Sequence, residues 1–137
     1  MKLRYTISLV VLLIGTLALT ACGSPPSSNA SNVSAEAQKY VNLKGTATKG
    51  KAVFESTCVS CHGPEAKGMP GLGKDLTVSD FVKQKPDAEM VLFLTKGRSA
   101  SDALNTTKVD MPVRGGNPAL KDQDLADVIA YVRSLQK

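Results

Sequence analysis

Cys58-Val59-Ser60-Cys61-His62 constrains this chain more than any other stretch of it. Two thiols three positions apart can add to the two vinyl groups of one porphyrin, and the imidazole that follows can bring a nitrogen to the iron. The spacing therefore reads as the attachment site of a c-type haem, with Cys58 and Cys61 as covalent tethers and His62 as an axial ligand. A fold that carries this motif has to be built around a large flat cofactor.

The rival readings of these five residues are weaker. A structural zinc site wants four Cys or His ligands, usually as two separated pairs, and the chain has one other cysteine and no other histidine. A thioredoxin-type dithiol needs a βαβ setting, and no strand pattern flanks the motif. A disulfide is compatible with the spacing but leaves His62 without a role.

Composition agrees with a cofactor-filled core. The chain has 137 residues and is 42% hydrophobic, but much of that fraction sits in the first twenty residues, and aromatic residues make up only 4%, with no Trp. One domain is expected, and a mature body of roughly ninety residues with so few large side chains has a small core of its own. A buried porphyrin supplies the missing apolar contact.

The first 21 residues read as a targeting segment. Lys2 and Arg4 give the positive start, Ile7 to Leu19 an apolar run too short to favour a spanning helix, and Leu19-Thr20-Ala21-Cys22 the close. That close resembles the lipobox of bacterial lipoproteins, so Cys22 is expected to be lipidated and to become the new N-terminus. The alternative is ordinary signal cleavage nearby, with Cys22 lost or free. Residues 22–47, rich in Ser, Asn, Pro and Ala, read as a flexible tether. A short helix over Ser34 to Leu43, with Val33, Ala37, Tyr40 and Val41 on one side, competes with that reading. The haem domain is expected over 48–137.

Within it, a helical segment with Gly50, Val53 and Phe54 runs into the motif, and Gly63 turns the chain away. A glycine-rich loop follows to Leu76, suited to close backbone approach to a flat ligand. A short helix is expected around Ser79 to Val82. A clearer one follows Pro86, with Asp87 and Glu89 in its first turn and Gly97 at its stop. Its apolar residues are Met90, Val91, Phe93 and Leu94. Arg98 to Asp110 lacks a period and reads as a surface loop. The last helix carries Leu125, Val128, Ile129, Val132 and Leu135 on one face, with Asp122 and Asp124 at its start, Arg133 and Lys137 at its end, and Tyr131 on its edge.

With a single histidine, the sixth iron ligand falls to a methionine, then to lysine or an open site. Met1 belongs to the leader, and Met90 lies in an apolar stripe where a core gap-filler is expected. Met69 is seven residues from His62, a distance that only a fully extended chain would stretch around the ring edge. Met111 is forty-nine residues away, next to Pro112 with Gly115-Gly116 beyond, and has room to reach the opposite face. Met111 is the expected axial ligand.

From about Lys49 to Leu135 the order of features resembles the class I monohaem cytochromes c of bacteria. It comprises a helix with Gly50 and Phe54, the Cys58 to His62 motif, a glycine-rich loop, a helix ending at Gly97, Met111-Pro112 and a Tyr131-bearing last helix. The resemblance implies an all-α fold in which the first and last helices cross, Gly50 allowing close approach while Phe54 and Tyr131 pack at the crossing. It also implies Met111 on the iron. One departure stands out: the family commonly has Gly-Pro-x-Leu where this chain has Gly73-Lys74-Asp75-Leu76. The carbonyl that accepts the hydrogen bond of the proximal imidazole is therefore left open, with Pro70 another candidate.

The function expected is single-electron transfer by one His/Met-ligated haem c, not enzymatic turnover, since thioether ligation favours the ferrous state and both axial positions are filled. A haem enzyme or gas-binding sensor with a labile or open sixth position is the alternative. Expected partners are redox complexes outside the cytoplasm, a quinol-oxidising donor and a terminal oxidase or other reductase. The protein is expected at the outer face of the cytoplasmic membrane, or at an outer membrane, as a monomer or a subunit of a larger complex. Arg98 is available to a haem propionate or to solvent. The net charge of +5 falls to +3 without Lys2 and Arg4 and to about +1 with two propionates, its lysines and arginines spread without a run. This gives no footprint for nucleic acid.

Overall fold

The computed structural model describes residues 33–137. The expected leader, Cys22 and the first part of the expected tether lie outside the described residues. Five α-helices form the body: α1 (Ala47–Val53), α2 (Val59–His62), α3 (Asp80–Gln84), α4 (Asp87–Lys96) and α5 (Asp122–Ser134). Among the described residues extended pairing is limited to two isolated bridges, Met69 with Gly73 and Arg98 with Met111. The fold is all-α, as the sequence predicts, and none of its described helices is long and apolar enough to cross a membrane.

α1 continues without a break into α2 through a π-helical turn, Phe54–Cys58. Ser56 and Thr57 sit in that turn, and Ser56 Oγ donates to Val53 O at 3.0 Å. Such hydroxyls compete with the helical ladder, and π-bulges inside α-helices are frequent at functional sites. Here it lies directly before the first thiol of the motif. The run ends at Gly63, whose φ of 69° takes the chain out of the helix.

α5 explains itself by its period. Leu125, Val128, Ile129 and Val132 are buried along one face, and the Asp124 carboxylate accepts the Lys121 N–H at 2.7 Å at the start. The helix crosses α1 at Gly50, where a Cβ would stand 1.8 Å from Asp127 O. Phe54 and Tyr131 meet beside that point, ring centroids 5.5 Å apart. Asp127 is buried. Its Oδ1 accepts the Thr46 N–H at 2.7 Å and a Gln123 Nε2 bond at 3.1 Å, a carboxylate at the start of α1 where the helix end favours negative charge.

α3 and α4 form where expected, α3 capped by Ser79 Oγ accepting the Val82 N–H at 3.4 Å. Arg133 ties them to α5 through the Asp87 carboxylate at 3.0 Å and through Val82 O and Lys85 O.

The expected tether over 22–47 needs correction at its C-terminal end. Residues 33–46 are packed, with a 3₁₀ turn at Ala37–Tyr40 whose Ala37 and Tyr40 are buried in the same core as α4. The Ser34 N–H donates to Glu89 Oε1 at 2.5 Å, and Lys96 Nζ meets Glu36 Oε2 at 2.5 Å. The short helix anticipated over Ser34 to Leu43 is thus a docked strap, because the buried Ala37 and Tyr40 and two long-range polar contacts outweigh its polar composition.

Replacing Gly50 by Ala forces the crossing apart, and we expect a loss of about 3 kcal/mol or more, read by denaturant unfolding of the haem-loaded protein. The strap gives a pH signature. The Ser34 N–H holds the Glu89 carboxyl below its ordinary value of 4.5, so this contact is complete above that value and is lost as pH falls through the lowered one. The Ser34 amide proton shift should titrate with that lowered midpoint, and Glu89→Gln should abolish the titration.

Candidate functional site

A cleft opens between the α1–α2 run, the glycine-rich loop, α4, the loop after it and α5. Its walls include Phe54, Cys58, Cys61 and His62 from the first run, Leu72 and Leu76 from the loop, and Met90, Phe93 and Leu94 from α4. Met111 and Pro112 line it from the loop after α4, and Val128, Ile129 and Val132 from α5. The three motif residues singled out in the sequence therefore face one cavity together with Met111.

The geometry around His62 follows from the glycine-rich loop. Gly73 passes so close to the motif that a Cβ there would stand 2.1 Å from Cys61 O. The approach brings the next carbonyl, Lys74 O, to 3.1 Å from His62 Nδ1. Lys74 thus supplies the acceptor left open in the sequence, and Pro70 does not. A backbone carbonyl needs no particular side chain, which is why lysine can stand where proline is usual. With Nδ1 bonded outward, Nε2 is the nitrogen left for an iron, and such a bond fixes the ring and raises its basicity.

Cys58 and Cys61 are not joined in a disulfide, and before haem attachment burial pushes the Cys58 thiol up to about 11, with the neighbouring Cys61 adding to the effect. Among the described residues no cluster of three or more His, Cys, Asp or Glu is disposed to hold a metal ion, and the zinc reading lacks its ligands there. Two thiols, one oriented imidazole and predominantly apolar walls match the needs of a covalently held porphyrin.

Three methionines are described. Met69 is 41% exposed and lies outside the cleft lining. Met90 is buried in the core, as anticipated, and also reaches the cleft wall. Met111 lies on a loop pinned by a reciprocal backbone pair, Arg98 N–H to Met111 O and Met111 N–H to Arg98 O, both 2.8 Å.

The segment from Arg98 to Asp110, which looks like a featureless surface loop in the sequence, contributes Asn105, Thr107, Val109 and Asp110 to the cleft. Its order comes from Asn105, which is buried. The amide donates to Ser99 O at 2.9 Å and Val109 O at 2.7 Å and accepts from Thr107 Oγ1 at 3.0 Å and Lys108 N at 3.1 Å. The only sequence signal for this hub was an Asn amid Ser and Thr in a polar loop, where such side chains bond to the backbone.

Comparison with known proteins agrees with the geometry. The profile of the family described as cytochrome c matches residues 47–136. The chain is 30% identical over 83 residues to a cytochrome c-555 of Prosthecochloris aestuarii, covering 61% of this chain and 81% of that one. It is 30% identical over 86 residues to a cytochrome c-555 of Chlorobaculum thiosulfatiphilum, covering 63% and 92%. It is also 32% identical over 90 residues to the Cbb3-type cytochrome c oxidase subunit CcoP of Rhodobacter capsulatus, covering 65% of this chain but 29% of that one.

Proposed function

This chain belongs to the cytochrome c family as a class I monohaem member with haem c carried on Cys58 and Cys61, and from that premise we propose that it is a His62/Met111-ligated single-electron carrier tethered to a membrane outside the cytoplasm. The observation that carries the reading is the placement of the carbonyl-oriented His62 and the loop residue Met111 in one apolar cleft. Met111 is preferred to Met90 because it sits on a loop held at a fixed point by the Arg98 pair, whereas Met90 is committed to packing within α4.

When bound, haem c supplies a one-electron couple. The chain's part is that His62 and Met111 would hold the iron, leaving small ligands no place, while Phe93, Leu94, Ile129 and Val132 exclude water. A rigid, dry surrounding keeps the two oxidation states alike in structure and favours rapid transfer over turnover. A thioether on the iron favours the reduced form.

Lipidation of Cys22 after removal of residues 1–21 accounts for the third cysteine and places the domain at the outer face of the cytoplasmic membrane or at an outer membrane. Partners would then be membrane-bound redox complexes, a quinol-oxidising donor and an oxidase or other reductase as acceptor. The likeness to an oxidase subunit supports an oxidase on the acceptor side and leaves a fixed place within such a complex as an equal form of the same role.

Absorption spectra of the oxidised, haem-loaded protein test the ligation. Wild type should show the near-infrared charge-transfer band of Met-ligated ferric haem, and Met111→Ala should lose it. The midpoint potential should fall by on the order of 0.1 V, a fraction of the roughly 0.8 V that axial ligands span. A band that survives in Met111→Ala assigns the thioether elsewhere. A wild type without the band, binding small ligands, supports an open-site haem protein instead. For the anchor, Cys22→Ser should move the protein from the membrane to the soluble fraction on cell fractionation.

A further inference from the structure

α4 is apolar on two sides. The helical period puts Met90, Phe93 and Leu94 on the side that lines the cleft and Ala88, Val91 and Leu92 on the opposite one. The second set is buried yet takes no part in the cleft lining, and a helix apolar all round needs cover on both sides. α4 packs against α5 and against the 3₁₀ turn of the strap. Glu89 and Lys96, which hold the strap, share the edge of α4 next to Leu92, away from the cleft.

The strap runs from α4 to α5. Its start is held by the Ser34 N–H on Glu89 and by Lys96 on Glu36, and its middle by the buried Ala37 and Tyr40. Its end is fixed on α5. There Gln123 Nε2 donates to Lys44 O at 2.9 Å, the Thr46 N–H donates to Asp127 Oδ1, and a Cβ on Gly45 would stand 2.0 Å from Ala126 O. One short segment thus ties together the two helices whose inner sides wall the cleft.

The strap also reaches the margin of that cleft. Val33 and Ser34 line a groove with Pro86 and Glu89, and Phe81 lines both this groove and the cleft. Phe81 packs edge to face on Phe93, ring centroids 5.0 Å apart, so one ring stands between the start of the strap and the cofactor space. Residues 33–46 lie ahead of the stretch that the family profile matches, 47–136, and the strap is not accounted for by that likeness.

We propose that residues 33–46 are a brace that sets how tightly α4 closes on the haem, with Ala37, Tyr40, Glu89 and Lys96 as positioning residues. Docked, the strap keeps the wall made by Phe81, Met90, Phe93 and Leu94 in place. Released, it frees α4 and the Phe81 ring, and water and small ligands reach the cofactor. A local opening of this kind needs less free energy than global unfolding, so the strap governs access while the covalent attachment stays folded. The inference rests on the haem reading of the cleft but not on the choice of sixth ligand.

The test compares the haem-loaded full chain, wild type against Ala37→Glu, which puts a charge at a position that is 0% exposed and outside the cleft lining. Hydrogen exchange of the α4 amides should quicken by about tenfold or more, with α2 unchanged. Imidazole should bind the ferric haem faster by a similar factor. The midpoint potential should fall, because water admitted to the cleft favours the more highly charged ferric state. Faster α4 exchange with the imidazole rate and the potential at their wild-type values overturns the proposal, since the strap would then add stability alone.

Should Ala37→Glu not load haem, Tyr40→Ala carries the test. It removes the larger buried anchor without adding a charge, so the same three shifts support the proposal and an unmoved potential and imidazole rate overturn it. The near-infrared band, recorded on the same samples, reports the ligation separately. Its absence in wild type would refute Met111 on the iron and leave the potential and the α4 exchange to decide the brace.

Discussion

A missing Cβ at residue 50 lets two backbones meet where α1 crosses α5, and the rest of the molecule depends on that approach. With Gly50 against the Asp127 peptide, α1 is held at one height and one angle. The π turn and α2 that continue it then deliver Cys58, Cys61 and His62 into the space that α5 covers with Val128, Ile129 and Val132. Asp127 reinforces the same junction from the polar side by receiving the Thr46 amide. This buried carboxylate is therefore spent on the start of the helical run that leads into the haem motif.

The second dependence is on main-chain groups. His62 is oriented by a carbonyl, Met111 by a two-way backbone pair, and the loop between α4 and Met111 by an asparagine that satisfies four main-chain and hydroxyl partners. Main-chain partners are indifferent to side-chain identity, and this is how the chain can depart from the common Gly-Pro-x-Leu pattern at Gly73-Lys74 without losing the bond to the imidazole.

This division also explains what was legible beforehand. α4 and α5 could be read because apolar residues recur with helical period and are bounded by Pro86, Gly97 and paired aspartates. The motif could be read because covalent chemistry dictates its spacing. The short helix of the strap, with Ala37 and Tyr40 on one side, could be read, but its docking could not, since the groups that hold Ser34 and Glu36 lie more than fifty positions away, at Glu89 and Lys96. Nor could the setting of Arg98, whose guanidinium lies against the rings of Phe81 in α3 and Phe93 in α4. Long-range polar pairing has no periodicity, so pattern reading passes over it.

The strap has a mechanical consequence. A pull applied at Val33 and Ser34 is taken up on α4, through Glu89, Lys96 and the seated Ala37 and Tyr40. The α1–α2 run, whose π turn and α2 hold Cys58 and Cys61, stands behind that clamp. The arrangement works as strain relief does on a cable: load is met first by a helix that bears no part of the thioether linkage.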